Sequence, residues 1–108
     1  MQKDVFLNIA GGLKVTDMAM DLSVIAAVIS SNLDMPIDGG WCMCGEVGLS
    51  GEVRPVSRIE QRIQEAEKLG FSDIIIPKRN VNALKGKQYA IKLHTARKVE
   101  EAIRELFG

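Results

Sequence analysis

The segment Gly45-Glu46-Val47-Gly48-Leu49-Ser50-Gly51-Glu52-Val53-Arg54-Pro55-Val56 sets three glycines and a proline among Val47, Leu49, Val53 and Val56. Glycine and proline at such short intervals break a helix and supply tight turns, so the segment reads as short strands folded into a hairpin. On its carboxy side, Ser57-Arg58-Ile59-Glu60 has the spacing of a capping box, and Ile59, Ile63, Ala66 and Leu69 recur as the buried stripe of the helix it opens. Gly70 closes that helix, and Asp73-Ile74-Ile75-Ile76-Pro77 follows as a β-branched run, the pattern of a buried strand in a β-α-β rhythm.

On its amino side, Gly39-Gly40 turns the chain into an extended segment over 41–45, where Cys42 and Cys44 alternate and point the same way. Before that turn, Met18, Leu22, Ile25, Ala26, Ile29 and Leu33 recur at helical spacing behind a Thr16 or Asp17 cap, and Met35-Pro36 ends the helix. Val24, Ala27 and Val28 are apolar as well, which predicts a core helix covered on more than one side. A strand over 4–10, with Val5, Leu7 and Ile9 alternating with Phe6, Asn8 and Ala10, stops at Gly11-Gly12. Beyond the proline, 78–88 reads as a polar loop with at most one helical turn, and 89–93 as a last strand. Thr95 then caps a final helix whose inner face carries Val99, Ala102, Ile103 and Leu106. Mixed helices and strands over 108 residues fit one layered domain.

Hydrophobic residues at 46% and charged residues at 26% belong to a folding domain and exclude a disordered chain. The longest apolar run, near Leu22 to Ile29, is too short to span a bilayer, and no secretory leader precedes it, so a cytoplasmic setting without membrane contact is expected. Fourteen basic and fourteen acidic residues cancel, so any grip on nucleic acid has to come from a local patch rather than from net charge. The two cysteines are expected as reduced thiols, and with one histidine and no Cys-x-x-Cys they offer no zinc site; no metal is assigned.

The segment 45–56 resembles the Gly-Glu-x-x-Leu-x-Gly-x-Val-x-Pro-Ile stretch of Lon peptidase domains, and the helix, glycine and Ile74-Ile75-Ile76-Pro77 that follow continue the likeness. Upstream, Gly11-Gly12-Leu13-Lys14-Val15 and the next helix are similar to the Lon segment that carries the nucleophile. The resemblance implies an α+β Lon-peptidase-like domain (ribosomal protein S5 domain 2-like), a mixed sheet with helices packed on it. It also places Ala19 of Asp17-Met18-Ala19-Met20-Asp21 where Lon has its serine, and Arg62 where Lon has its lysine. A methyl group cannot attack a carbonyl and a guanidinium does not give up its proton at neutral pH, so the resemblance implies a pseudopeptidase with no catalytic residue.

Among Lon-like domains, Asp4-Val5-Phe6-Leu7-Asn8-Ile9-Ala10-Gly11-Gly12 and Gly51-Glu52-Val53-Arg54-Pro55-Val56-Ser57-Arg58-Ile59-Glu60-Gln61-Arg62 look like the RadA/Sms-type DNA-repair family. That family carries a zinc motif and a RecA-like ATPase ahead of this domain, and no phosphate loop or Cys-x-x-Cys occurs here, so residues 1–108 are expected to be one domain of a longer chain. The resemblance implies a non-catalytic domain that assembles as a homo-oligomeric ring, contacts double-stranded or branched DNA, and works with a recombinase. No cofactor is expected here, while ATP, magnesium and zinc belong to the other domains.

Arg54, Arg58 and Arg62 are the DNA-binding candidates, since Arg58 and Arg62 lie one turn apart and Arg54 just precedes them; they could equally pair with Glu60, Glu65 or a neighbouring subunit. Lys78-Arg79 and Lys85-Lys87 read as a solvated basic loop, Trp41 as core or interface, His94 as a surface residue near a cap, and Met18 and Met20 as filling of a former substrate groove. Two rival roles follow: a purely structural oligomerisation module, or a Lon-type peptidase using other groups.

Overall fold

A computed structural model describes residues 18–108. The strand expected over 4–10 and the Thr16 or Asp17 cap lie outside the described residues. A 3-10 turn, Met18–Met20, leads into helix α1 (Asp21–Leu33), followed by β1 (Trp41–Met43), β2 (Glu46–Val47), β3 (Val53–Arg54), α2 (Ile59–Lys68), β4 (Asp73–Pro77), a 3-10 segment (Lys78–Leu84), β5 (Lys92–Ala96) and α3 (Val99–Phe107). β1, β4 and β5 form a parallel sheet in the order β1-β4-β5, and β2 and β3 form the antiparallel hairpin expected for 45–56.

Strand alternation divides the core in two. Cys44, Ile74 and Ile76 face one side of the sheet, where Ile59, Ile63 and Ala66 of α2 cover them together with Leu84 and Ile91. Met43, Ile75 and Ala96 face the other side, against Leu22 and Ala26 of α1, Val53 of the hairpin and Ala102 of α3. A run of three isoleucines therefore serves both cores, which is why β4 shows no polar alternation. Within α1 the buried residues are Leu22, Ser23, Ala26, Ala27 and Ser30, while Val24, Val28 and Leu33 are exposed. Coverage on more than one side thus does not extend to the Val24 and Val28 face of this helix.

Both α1 and α2 end in reciprocal 6→1 and 5→2 backbone bonds. Gly70, at φ +92, donates to Glu67 O (3.0 Å) while Phe71 donates to Ala66 O (3.1 Å). Asp34 takes the same left-handed role after α1, with Asp34 N bonded to Ser31 O (3.3 Å) and Met35 N to Ser30 O (3.0 Å).

Three local expectations are corrected. Ser57 does not cap α2: Arg58 occupies the N-cap position in left-handed conformation, with no side-chain cap bond. Glu60, which would complete the box, is instead paired with Lys87 and accepts from Tyr89 Oη at 3.5 Å. The last strand is 92–96 rather than 89–93, because Ala90 and Ile91 donate their N–H groups to Glu67 Oε2 (2.5 and 3.2 Å) and leave the sheet. Thr95 lies within β5 opposite Ile76 and does not cap α3; Glu101, in the first turn of α3, reaches back to the Arg97 N–H at 2.6 Å.

Candidate functional site

Two clefts and one half-buried polar cluster hold the chemistry-bearing side chains. The first cleft forms where the start of α1 meets the hairpin. Gly45 donates to Ala19 O (2.8 Å) and accepts from Leu22 N (3.0 Å), clamping the helix onto the chain at the end of β1. Only glycine fits there, since a Cβ would stand 2.8 Å from Val53 Cγ1 and 3.5 Å from Leu22 Cδ2. Across from it, burial of Ile63 and Ala66 fixes the roll of α2 and turns Arg62 toward the same space. The cleft, about 250 Å³, is lined by Ala19, Met20, Ser23, Cys42, Arg62 and Phe71 among others. Ala19 and Arg62, 43 residues apart in the chain, are thus brought to one cleft.

Neither Ser23 nor Cys42 supplies that cleft with an activated nucleophile. Ser23 is buried and its Oγ donates to Met43 O (3.1 Å). The Cys42 thiol is pushed up to about 12, chiefly by burial and then by Cys44 and Asp73, so it stays protonated at neutral pH. Neither cysteine is in a disulfide. Arg62 Nε donates to Ser57 O at 2.8 Å, which holds the guanidinium against the turn that opens α2.

The second cleft is a groove beside the carboxy-terminal ends of β4 and β5. It is lined by Arg54 on β3, Lys78 and Arg79 directly after β4, Arg97 and Lys98 directly after β5, with Glu52 and Val53. Backbone bonds set these segments side by side: Val53 N donates to Arg97 O (2.7 Å), Val99 N to Gly51 O (2.9 Å), and Glu52 bridges to Lys98. Glu52 Oε2 accepts from both Nε (3.2 Å) and Nη2 (2.9 Å) of Arg54. Its carboxyl is held below the usual range by its own backbone N–H first and by Arg54 second. Asn80, buried in the 3-10 segment after β4, accepts from Val56 N (3.0 Å) and donates to Val56 O (3.1 Å), tying the 78–84 segment to the end of the hairpin.

Arg54, Arg58 and Arg62 therefore do not share a cleft. Arg54 lines the basic groove, Arg62 lines the first cleft, and Arg58 is exposed at the amino end of α2. The groove's other four cations were missed because they come from two loops about twenty residues apart in sequence; the signal available was a basic pair immediately after each of two strands.

His94 is not a surface residue. Its ring stacks on Trp41 (centroids 4.3 Å, 26°), Nε2 lies 2.8 Å from Asp73 Oδ2, and Nδ1 lies 3.1 Å from Glu105 Oε1. The Asp73 carboxyl is held below its usual range by the Ser72 hydroxyl and then by His94. Because the two carboxylates bind opposite ring nitrogens they do not converge on a common point, and no metal-holding group of three such residues occurs among the described residues. Trp41 packs against the second core, as expected for core or interface. No helix among the described residues is long and apolar enough to cross a membrane.

Residues 4–107 match the family model of the Lon protease (S16) C-terminal proteolytic domain. The chain is 44% identical over 106 residues to DNA repair protein RadA of Bacillus subtilis, covering 98% of this chain and 23% of that protein. It is 43% identical over 105 residues to RadA of Pseudomonas aeruginosa, covering 97% of this chain and 23% of the relative. With RadA of Listeria monocytogenes it shares 53% over 78 residues, covering 72% of this chain and 17% of the relative. The chain thus spans less than a quarter of the length of these relatives.

Proposed function

Since the chain belongs to the Lon protease C-terminal domain family, as a RadA-type C-terminal Lon-like domain, we propose that it is a pseudopeptidase serving ring assembly and DNA contact in a DNA-repair protein. The observation that carries the non-catalytic reading is that Ala19 and Arg62, the positions matched to the Lon serine and lysine, line one cleft. A methyl group supplies no nucleophile and a guanidinium no general base, and the neighbouring Ser23 and Cys42 are respectively committed to a carbonyl and held as a thiol. In this reading ATP hydrolysis, with its magnesium, and the zinc motif belong to other parts of a cytoplasmic parent protein, and a recombinase is its working partner. DNA contact is supported by the basic groove, and assembly by the exposed Val24 and Val28 of α1.

Three measurements on one sample test this: peptide cleavage with a serine-reactive fluorophosphonate probe, binding to labelled duplex and branched DNA across a salt series, and light scattering. The expected result is no cleavage and no labelling, with salt-sensitive DNA binding by a multimer. Cleavage or labelling would overturn the non-catalytic reading. A folded multimer that binds no DNA would reduce the role to assembly alone.

A further inference from the structure

We propose that His94 is a proton-operated latch: as an imidazolium it ties the last turn of α3 to the sheet through Glu105, and on losing its proton it keeps Asp73 and releases that turn. The ring stands where strands and helix meet. β1 and β5 flank β4 in the sheet, and Trp41 of β1 and His94 of β5 stack with 4.3 Å between centroids beside Asp73, the register partner of Trp41. From β4 the facing group is Asp73, whose carboxyl also feels Ser72, Lys92 and Cys42. From α3 it is Glu105, and from β1 it is the uncharged indole of Trp41. Both ring nitrogens therefore face acceptors, Nε2 at 2.8 Å from Asp73 Oδ2 and Nδ1 at 3.1 Å from Glu105 Oε1. A carboxylate only accepts, and a neutral imidazole carries one N–H, so the imidazolium alone donates to both.

The two contacts are unequal, which sets the order of release. The Asp73 side chain is 18% exposed, makes the shorter contact, and is held a second time by the Ser72 hydroxyl at 2.6 Å. Its carboxyl lies below the usual range, chiefly through that hydroxyl and then through His94, so it is ionised throughout the range in which histidine titrates. The Glu105 side chain is 44% exposed, with water within reach. A neutral ring therefore keeps its one N–H on Asp73 and turns a lone pair toward Glu105, which swings into solvent. Glu105 lies in the last turn of α3, whose Leu106 packs on the second core as Trp41 does. The tie is present on the acid side and is lost as pH rises through titration of the ring. The stack on Trp41 weakens in the same direction, because an aromatic face attracts a cation more strongly than a neutral ring.

The chain holds one histidine and one tryptophan, so each is read without interference from another. The test follows the His94 ring proton resonances and Trp41 emission of the 108-residue chain from about pH 5 to about pH 8, the span over which histidine changes charge. Amide protection over 105–107, taken relative to that of β4 and corrected for intrinsic exchange, is measured at both ends. Ring and emission are expected to titrate in one step, and relative protection over 105–107 to fall several-fold on the alkaline side, the size of a partly exposed charge pair. Glu105→Gln is expected to remove most of that fall while ring and emission still titrate, and His94→Gln to remove the emission step; circular dichroism checks each variant. Because Glu105 is half exposed, its variant keeps the test open if His94→Gln does not fold. Relative protection that is equal on both sides of the step, or a fall of the same size in Glu105→Gln, would overturn the latch. Emission that ignores the ring's step would set the imidazole apart from Trp41 and overturn the geometry the latch needs.

Discussion

Asn80 satisfies both backbone groups of Val56 with one side chain, doing from a 3-10 segment what a neighbouring strand would otherwise do. Replacing it leaves a partly buried N–H and C=O without these partners, so Asn80→Ala is expected to cost about 1–2 kcal/mol, read as a lower urea midpoint at unchanged slope. Cys42 carries a second prediction. Its folded pKa, pushed up to about 12, stands above the unfolded value near 9.0, so the native state holds the proton more tightly. The stability it contributes is complete below about pH 9 and is lost as pH rises toward 12. Thermal melts should show that alkaline loss diminished in Cys42→Ser, and iodoacetamide should label the native thiol slowly at neutral pH and rapidly after unfolding. Residue identity alone told that the cysteines are thiols and that position 19 has no nucleophile. The partners of Asn80 and His94 were not legible, because they come from segments 24 and 21 residues away and no local period encodes them.

Among elements, the hairpin and the buried β4 run were legible because glycine, proline and β-branched residues constrain the backbone directly, whatever packs around them. Two of the misread boundaries share one cause. At the start of α2 and at 89–91 a glutamate was drawn to a partner outside the local pattern, Glu60 to Lys87 and Glu67 to the N–H groups of Ala90 and Ile91, whereas before α3 the bond from the Arg97 N–H to Glu101 is local. Sequence spacing gives a carboxylate's local options, and tertiary contacts decided among them. The junction of α1 with the hairpin makes an element-scale prediction. Gly45 has no room for a Cβ beside Val53, whose β-branch cannot swing clear cheaply. Gly45→Ala is expected to cost about 1–3 kcal/mol through overpacking and to loosen the Ala19 carbonyl bond, seen as faster amide exchange at Gly45's position and at Leu22.

At the scale of the whole molecule, two surfaces of opposite character carry the proposed work. The basic groove lies at the carboxyl ends of β4 and β5, and the exposed apolar face of α1 belongs to the helix that covers the sheet with α3. Val28, at 54% exposure, and Val24, one turn before it at 39%, keep much of their apolar surface in water. Leaving such side chains in water is an expense that a multimer recovers when copies meet there. Val24→Lys/Val28→Lys should therefore shift light-scattering mass toward the monomer while leaving the stability of the isolated fold within about 0.5 kcal/mol of the parent, because surface substitutions cost the monomer little. DNA affinity of that variant separates the two roles. If each copy binds through its own groove, affinity per copy persists in the monomer but loses the multivalent gain, so apparent affinity falls while the salt slope per copy is kept. A variant that stays multimeric would remove this face of α1 from the assembly, and one that loses the slope as well as the mass would mean that the groove is completed only between copies.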